Sequence, residues 1–468
     1  MISFSTLDII VLLSFFLLLL AIGFIFSGKI KDTTDYLLAG RNLNLFLFVL
    51  VTVSTWYGGI LGVGEFTYRY GLLSWFTQGF PYYIFAFLFA IFFAKKIRNA
   101  SLFTIPDKLF EVYGKKVSLF SAVIVFILVS PAPYLLMTAT LLKEIFHINL
   151  LLALFISFIL SGSYLIKGGF RSNVYVDAFQ FFIMFIGFIL AVMICFNTFG
   201  GAQFLSQNLP ESHLKFTGNA STAFIVVWFL IALWTFSDPG FHQRAYAAKN
   251  GTVAKRGIII SVFFWALFDF LTTTTGLYAR AIFPVLDQPV LAFPYLAEKI
   301  FSPGLKGIFY AGMFATIIST LNSFLFLSAT TIGRDFFFRL NSSINEMKLK
   351  WFTSMGIIIS GIISISISYF IPSVVEIWYT IGSLFIPAII PAVISSYYHK
   401  LKIDDKIMLI EMVVALSAGI IWFFLREKFS GTSYYVIEPM LIGLSSAVVI
   451  HLLGLFSKFS FSDKRKKN

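Results

Sequence analysis

FATIISTLNSFLFLSATT, residues 314–331, decides how the rest of the chain is read. It lies in an apolar run at about 305–337, and roughly 20 helical residues suffice to cross a bilayer. At a helical period Thr316, Ser319, Thr320, Ser323, Thr330 and Thr331 fall on one stripe. Such an uncharged ladder has three physical readings. The hydroxyls bond back to carbonyls one turn earlier, they glue the helix to its neighbours, or they offer oxygens to something bound in the low-dielectric interior.

The whole chain shares this character. Of its 468 residues 58% are hydrophobic and 12% charged, against about 25% charged in an ordinary soluble domain. That is too little polar surface for a water-facing globule, so a single transmembrane unit is expected. Runs of spanning length lie at 6–27, 45–66, 74–94, 117–146, 149–166, 174–197, 221–241, 257–282, 305–337, 351–371, 376–397, 406–425 and 436–457, about thirteen helices in all. No stretch has the ten-residue alternation of a membrane β-barrel. The first run lacks a basic start and a small-residue cleavage site, so it reads as a retained helix rather than a leader.

The net charge of +13 would suit nucleic acid. Most of the Lys and Arg, however, cluster in short segments at 29–41, 95–116, 167–171, 244–256, 334–350, 400–406 and 458–467. This alternation places the N-terminus outside and the C-terminus inside a plasma (inner) membrane crossed many times. The KRKK segment at 464–467 then touches anionic membrane lipid. No nucleic acid and no obligate protein partner is expected. The one cysteine, Cys195, lies in an apolar run and reads as a free buried thiol.

Two spans are interrupted. The second carries Ser54-Thr55-Trp56-Tyr57-Gly58-Gly59, followed by Gly62 and Gly64, and the seventh carries Phe236-Ser237-Asp238-Pro239-Gly240. Breaks in corresponding spans of two halves are the best sequence pointer to a transporter site built from discontinuous helices. The two spans are five helices apart, an odd offset, so the halves would have inverted topology.

Several motifs then carry a resemblance. Residues 39–43 (AGRNL), Gly62 with 68–71 (YRYG), 168–172 (GGFRS) with 177–180 (DAFQ), 243–249 (QRAYAAK), and 319–323 (STLNS) with Arg334-Asp335 resemble the sodium/solute symporters in order and spacing. The resemblance runs from about residue 35 to 340; beyond that only hydropathy matches. It implies an all-α integral membrane protein with a LeuT-like core of two inverted five-helix repeats, at 45–197 and 221–397. One extra helix (6–27) precedes the core and two (406–457) follow it. It also implies import of a small organic solute coupled to sodium by alternating access.

Carried over by motif, the resemblance implies a sodium site. Ser319 and Thr320 would give side-chain oxygens, and Thr52, Thr55 and Thr316 backbone carbonyls. Many relatives have small or apolar residues at those last three positions, so whether threonine hydroxyls replace some carbonyls is open. Sodium is a hard cation suited to such oxygens. Asp177, inside an apolar run, is a candidate for a second sodium or an ion relay, or it caps its own helix.

Gly58 and Gly59 at the first break and Asp238 at the second are substrate candidates, although an Asp before Pro also simply caps a helix. Gln78, Trp234 and Trp265 fall where family members line the solute pocket. Asp269, beside Thr272–Thr275 in mid-span, would bind a cationic or hydroxylated solute, carry a proton, or be silently bonded to those threonines.

No phosphate-binding loop, metalloprotease helix, nucleophile elbow or Cys/His metal spacing occurs, so no enzyme is expected. A proton-coupled symporter of the same fold and a membrane solute sensor are the alternatives.

Overall fold

In hydrocarbon every backbone N–H and C=O must find an internal partner, and a chain this apolar satisfies them by coiling each crossing into a helix. The computed structural model describes residues 3–28, 30–340, 346–371 and 374–467. Among them there is no strand, only an isolated bridge between Leu43 and Ala248. The helices used below are α1 (Thr6–Ser27), α2 (Leu45–Trp56), α3 (Ile60–Tyr70), α4 (Phe80–Phe92), α5 (Ile105–Leu128), α6 (Ala132–Phe146), α7 (Leu150–Phe199) and α8 (Thr222–Ile231). They continue with α9 (Pro239–Ala247), α10 (Gly251–Ile282), α11 (Leu305–Thr330), α12 (Glu346–Phe370), α13 (Val374–Tyr397), α14 (Asp405–Leu425) and α15 (Pro439–Lys467). Lys29 and the side chains of the basic segment at 464–467, both given topological roles above, lie outside the described residues.

Eleven helices among the described residues are long and apolar enough to cross a membrane, or up to twelve if the bent pair α2–α3 is one span. The difference from about thirteen has a physical reason. The runs at 149–166 and 174–197 follow one another within α7, 50 residues long, with no loop between them, so a stretch long enough for two crossings counts as one helix. The two are divided at the non-helical Gly169 (φ 52°, ψ −148°). A side chain there would be strained, and its Cβ would sit 2.4 Å from the Tyr36 carbonyl oxygen. The run at 117–146 follows a kink at the non-helical Gly114, which divides it from a first segment starting at Ile105, and it breaks near Pro131 into α5 and α6.

Both expected interruptions are present. α2 and α3 meet at 57°, and α8 gives way to a 3₁₀ turn, Ala232–Phe236, before α9 begins at Pro239.

α11 is the enclosed axis of the bundle: Thr316, Ser319, Thr320, Asn322 and Ser323 are all buried. It lies against α7 where Gly187 meets Gly312; a Cβ on Gly187 would be 3.3 Å from the Gly312 Cα. Small residues allow this approach, which between membrane helices replaces the missing hydrophobic drive. Asp8 of α1 accepts from the backbone N–H of Gly304 (2.8 Å) and Gly307 (2.9 Å), pinning the first helix to the start of α11. Leu17, Phe424 and Phe456 of the outer helices are exposed, as residues facing lipid should be.

Near the far end of α11 polar groups close the bundle. Asp107 pairs with Arg334 (2.8 Å) and Arg339 (2.5 Å), and Thr104 donates to Asp335 (2.6 Å). The Tyr246 and Tyr397 hydroxyls meet at 2.8 Å.

Candidate functional site between the two broken spans

The break after α2 exists because two glycines let other helices come close. A Cβ on Gly58 would fall 2.3 Å from the Thr320 Cβ, and one on Gly59 2.4 Å from the Trp378 ring. Backbone freed by the break therefore faces α11 directly. Across this contact the Thr320 hydroxyl donates to the Thr55 carbonyl oxygen at 2.6 Å, and it lies 3.4 Å from the Thr316 carbonyl.

One turn away the Ser319 hydroxyl donates to Asp177 Oδ1 (2.7 Å), and the Thr55 hydroxyl is 3.2 Å from Asp177 Oδ2 and 3.3 Å from Ser319. Asn173, one turn before Asp177, donates to Asp177 Oδ2 (2.9 Å) and to Ser323 (3.0 Å). Thr55, Asp177, Ser319 and Thr320, far apart in sequence, thus form one buried knot of oxygens.

The Thr55 hydroxyl also reaches the Val51 carbonyl one turn back (2.8 Å), and for the hydroxyls of the other two threonines local bonding is the whole of it among the described residues. The Thr316 hydroxyl donates to the Gly312 carbonyl (2.5 Å) and the Thr52 hydroxyl to the Phe48 carbonyl (2.6 Å), each one turn back. What remains of both residues is the backbone carbonyl. No hydrogen bond ties Thr52 to the knot among the described residues.

One residue was misassigned by loop counting. Arg244, placed above among the loop charges, is 3% exposed and lies inside the bundle. Its Nη2 donates to Thr55 (2.6 Å) and Ser323 (2.9 Å), its Nη1 to the Gly240 carbonyl (3.0 Å), and it is 3.9 Å from Asp177. α9 starts inside the bundle rather than at its edge, so its first two turns carry Arg244 into the interior. A buried carboxylate requires such a partner, because removing either member of a buried pair costs ~3–5 kcal/mol.

The donor set is hydroxyl, carbonyl and carboxylate oxygen. No group of three or more His, Cys, Asp or Glu able to hold a metal ion occurs among the described residues. The chemistry therefore fits a hard monovalent cation better than a transition metal.

Beside the knot lies a cavity of about 830 Å³, reaching from Thr320 and Arg244 to Arg426 and Glu438 beyond α14. Gly59, Gln78, Trp234, Asp238 and Asp269 line it. Gly58 and Trp265 do not: Gly58 is packed on Thr320, and Trp265 is buried behind Trp56, ring centroids 5.1 Å apart. Asp238 caps α9, accepting from the N–H of Gly240 (2.6 Å) and Phe241 (3.2 Å). Asp269 accepts from the Tyr83 hydroxyl. Gly79 makes room for it, since a Cβ there would lie 2.7 Å from Asp269 Oδ2.

Sequence reasoning missed most of the aromatic wall: Trp56, Tyr82, Tyr134 and Trp378. Among so many aromatic residues nothing in the sequence marks these four.

A profile of the Sodium:solute symporter family matches residues 36–404. The chain belongs to this family. It is a membrane protein of the secondary-transporter class, with relatives that are transporters rather than enzymes. It is 24% identical to the osmoregulated proline transporter OpuE of Bacillus subtilis (strain 168), over 94% of this chain and 93% of that protein. To the sodium/pantothenate symporter of Haemophilus influenzae it is 24% identical over 90% of each. To the high-affinity choline transporter 1 of Drosophila melanogaster it is 23% identical over 86% of this chain and 69% of the relative.

Its fold is similar to that of a substrate-bound, outward-open Na⁺-coupled sialic acid symporter. The TM-score is 0.82 at 16% identity, covering 97% of this chain and 98% of the other. It is also similar to MhsT in complex with L-phenylalanine, with a TM-score of 0.54 at 13% identity over 87% and 97%. The fold is thus LeuT-like and all-helical.

Proposed function

We propose that this symporter imports a small organic solute by coupling it to sodium, with alternating access. The carrying observation is the contact across Gly58, where Thr320 of α11 reaches the carbonyl of Thr55 at the break of α2 at 2.6 Å. Sodium would be held by the Ser319 and Thr320 hydroxyls and by the carbonyls of Thr52, Thr55 and Thr316. Neutral oxygens hold the ion without trapping it, as a cycle requires. Asp177 would take a second sodium or relay the departing one, sharing its charge with Arg244.

On this reading residues 45–197 and 221–397 are the inverted repeats, with 6–27 and 406–457 outside the core. The N-terminus is outside and the C-terminus cytoplasmic, so the cavity beside Arg426 and Glu438 faces outward. The ion pairs at Asp107 then close the inner side. The solute occupies the cavity between Gly59, Gln78, Trp234, Asp238 and Asp269, while Gly58 and Trp265 shape it from behind. Relatives named for proline, pantothenate and choline do not agree on a solute.

Asp269 in the cavity wall favours proton coupling as the second reading. Proteoliposomes tested with labelled proline, choline and pantothenate, first under a sodium gradient and then under a proton gradient, separate the two. Sodium-driven uptake that weakens in Ser319→Ala and Thr320→Ala is expected. Uptake driven by protons alone, or unchanged sodium dependence in both variants, overturns the sodium assignment.

A further inference from the structure

The cavity wall also limits the chemistry of the solute, granted the transport reading above. We propose that it selects a compact organic cation, an ammonium or quaternary ammonium group seated between Asp269 and the aromatic rings.

The groups that could hold an anion are already engaged. Arg426 is bonded to Glu438 (2.6 Å) and to the Tyr379 hydroxyl (2.7 Å). Arg244 is used by Thr55, Ser323, the Gly240 carbonyl and Asp177. These are the only Arg residues lining the cavity, and no Lys lines it among the described residues. Each guanidinium already faces a carboxylate, so a carboxylate solute would find no uncompensated positive charge there.

The opposite holds for a cation. Asp269 lines the cavity and is 7% exposed, and no Lys or Arg pairs with it among the described residues. The groups at its carboxyl oxygens are the neutral hydroxyls of Tyr83 and Tyr57, which bring no counter-charge. A carboxylate withdrawn from water without a counter-charge is costly, and an ammonium group brought by the solute removes that cost.

The remaining wall is suited to the same group. Trp56, Tyr82, Tyr134, Trp234 and Trp378 line it, and ring faces attract an ammonium centred within about 6 Å. Trp56 meets Tyr82 edge-on at 5.3 Å and Tyr134 lies 6.0 Å from Trp378, so the rings are braced by each other rather than free to collapse into the space. Gln78 is the one side-chain amide on the wall.

The test uses the purified full-length protein in sodium-containing detergent buffer. Binding is measured for three probes: (2-hydroxyethyl)trimethylammonium, its uncharged tert-butyl isostere, and propionate. The cation should bind roughly tenfold or more tightly than the isostere, the scale expected of a desolvated cation–ring contact with a carboxylate nearby. Propionate should not compete.

Asp269→Asn should bring the cation down to the level of the isostere while sodium still raises the melting temperature. Should that variant fail to fold, Trp378→Leu should lower the cation-to-isostere ratio instead. Equal binding of cation and isostere, preference for propionate, or an unchanged ratio in Asp269→Asn overturns the proposal. Loss of proton-driven uptake in Asp269→Asn without change in the ratio also overturns it, assigning Asp269 to proton transfer. Cation selectivity without any sodium effect would sink the symport reading and leave this one standing.

Discussion

The oxygen knot and the cavity wall touch at Thr55, Thr320 and Arg244, yet they are built on opposite rules. In the knot the hydroxyls and the Asp177 carboxylate all have partners within the protein, and three helices, α2, α7 and α11, are joined by those bonds. In the wall the carboxylate of Asp269 meets only neutral tyrosine hydroxyls among the described residues and the rings mostly touch one another. A saturated cluster tolerates no change of shape and gives one answer to one small ion. A wall short of partners is completed by whatever enters it. On the proposed function coupling and selectivity lie a few ångströms apart, and substitutions should divide along the same line.

The largest effect is expected where the two meet. Gly58→Val would drive side-chain atoms into Thr320, where even a Cβ would sit 2.3 Å from its Cβ. Overpacking of this kind costs ~1–3 kcal/mol or more. Both sodium-dependent stabilisation and solute uptake should be lost together, as melting curves and transport would show.

Arg244→Met should come next. It leaves Asp177 buried without its counter-charge, costing ~3–5 kcal/mol, and Lys should rescue poorly because one ammonium cannot reach Thr55, Ser323 and the Gly240 carbonyl in the same fork. Recovery of the double variant Arg244→Met/Asp177→Asn, relative to Arg244→Met alone, would tie the loss to that charge.

Ser319→Ala and Thr320→Ala each remove one hydroxyl, an effect of ~1 kcal/mol, so apparent sodium affinity should fall by roughly fivefold in a sodium titration while solute preference is unchanged. The smallest effect is expected at a single ring of the wall. Trp234→Leu should weaken solute binding by ~0.5–1 kcal/mol and leave the sodium titration where it was. A wall variant that shifted sodium affinity as strongly as Ser319→Ala would erase the distinction.

How far each region could be read from sequence follows from the same contrast. The knot is carried by residues close to motifs: Ser319 and Thr320 inside one pentapeptide, Asp177 beside Gln180, and Thr55 beside the glycines that break α2. A dense polar cluster in hydrocarbon stands out because such residues are rare there. Arg244 escaped because a charge counted along the chain does not reveal that its helix starts inside the bundle. The helix count is approximate because the two spans of α7 are divided only by the non-helical Gly169, with no loop between them to separate one helix from the next. Asp269 stood out as a lone acid. Trp378 and Tyr134 did not, since aromatic residues occur on every span and most of them face lipid or pack in the core. Which rings face the cavity is set by helices that meet only after folding, so no local pattern encodes it.

Arg244 has a consequence for the return stroke of the proposed cycle. A carrier that has delivered its cargo must reset with its sites empty, and a bare carboxylate in that interior would be an electrical load on the step. The guanidinium 3.9 Å from Asp177 stays with the protein after the ion has gone. The pair moves as a neutral unit, so resetting should respond little to membrane voltage through this residue, leaving voltage to act on the loaded stroke.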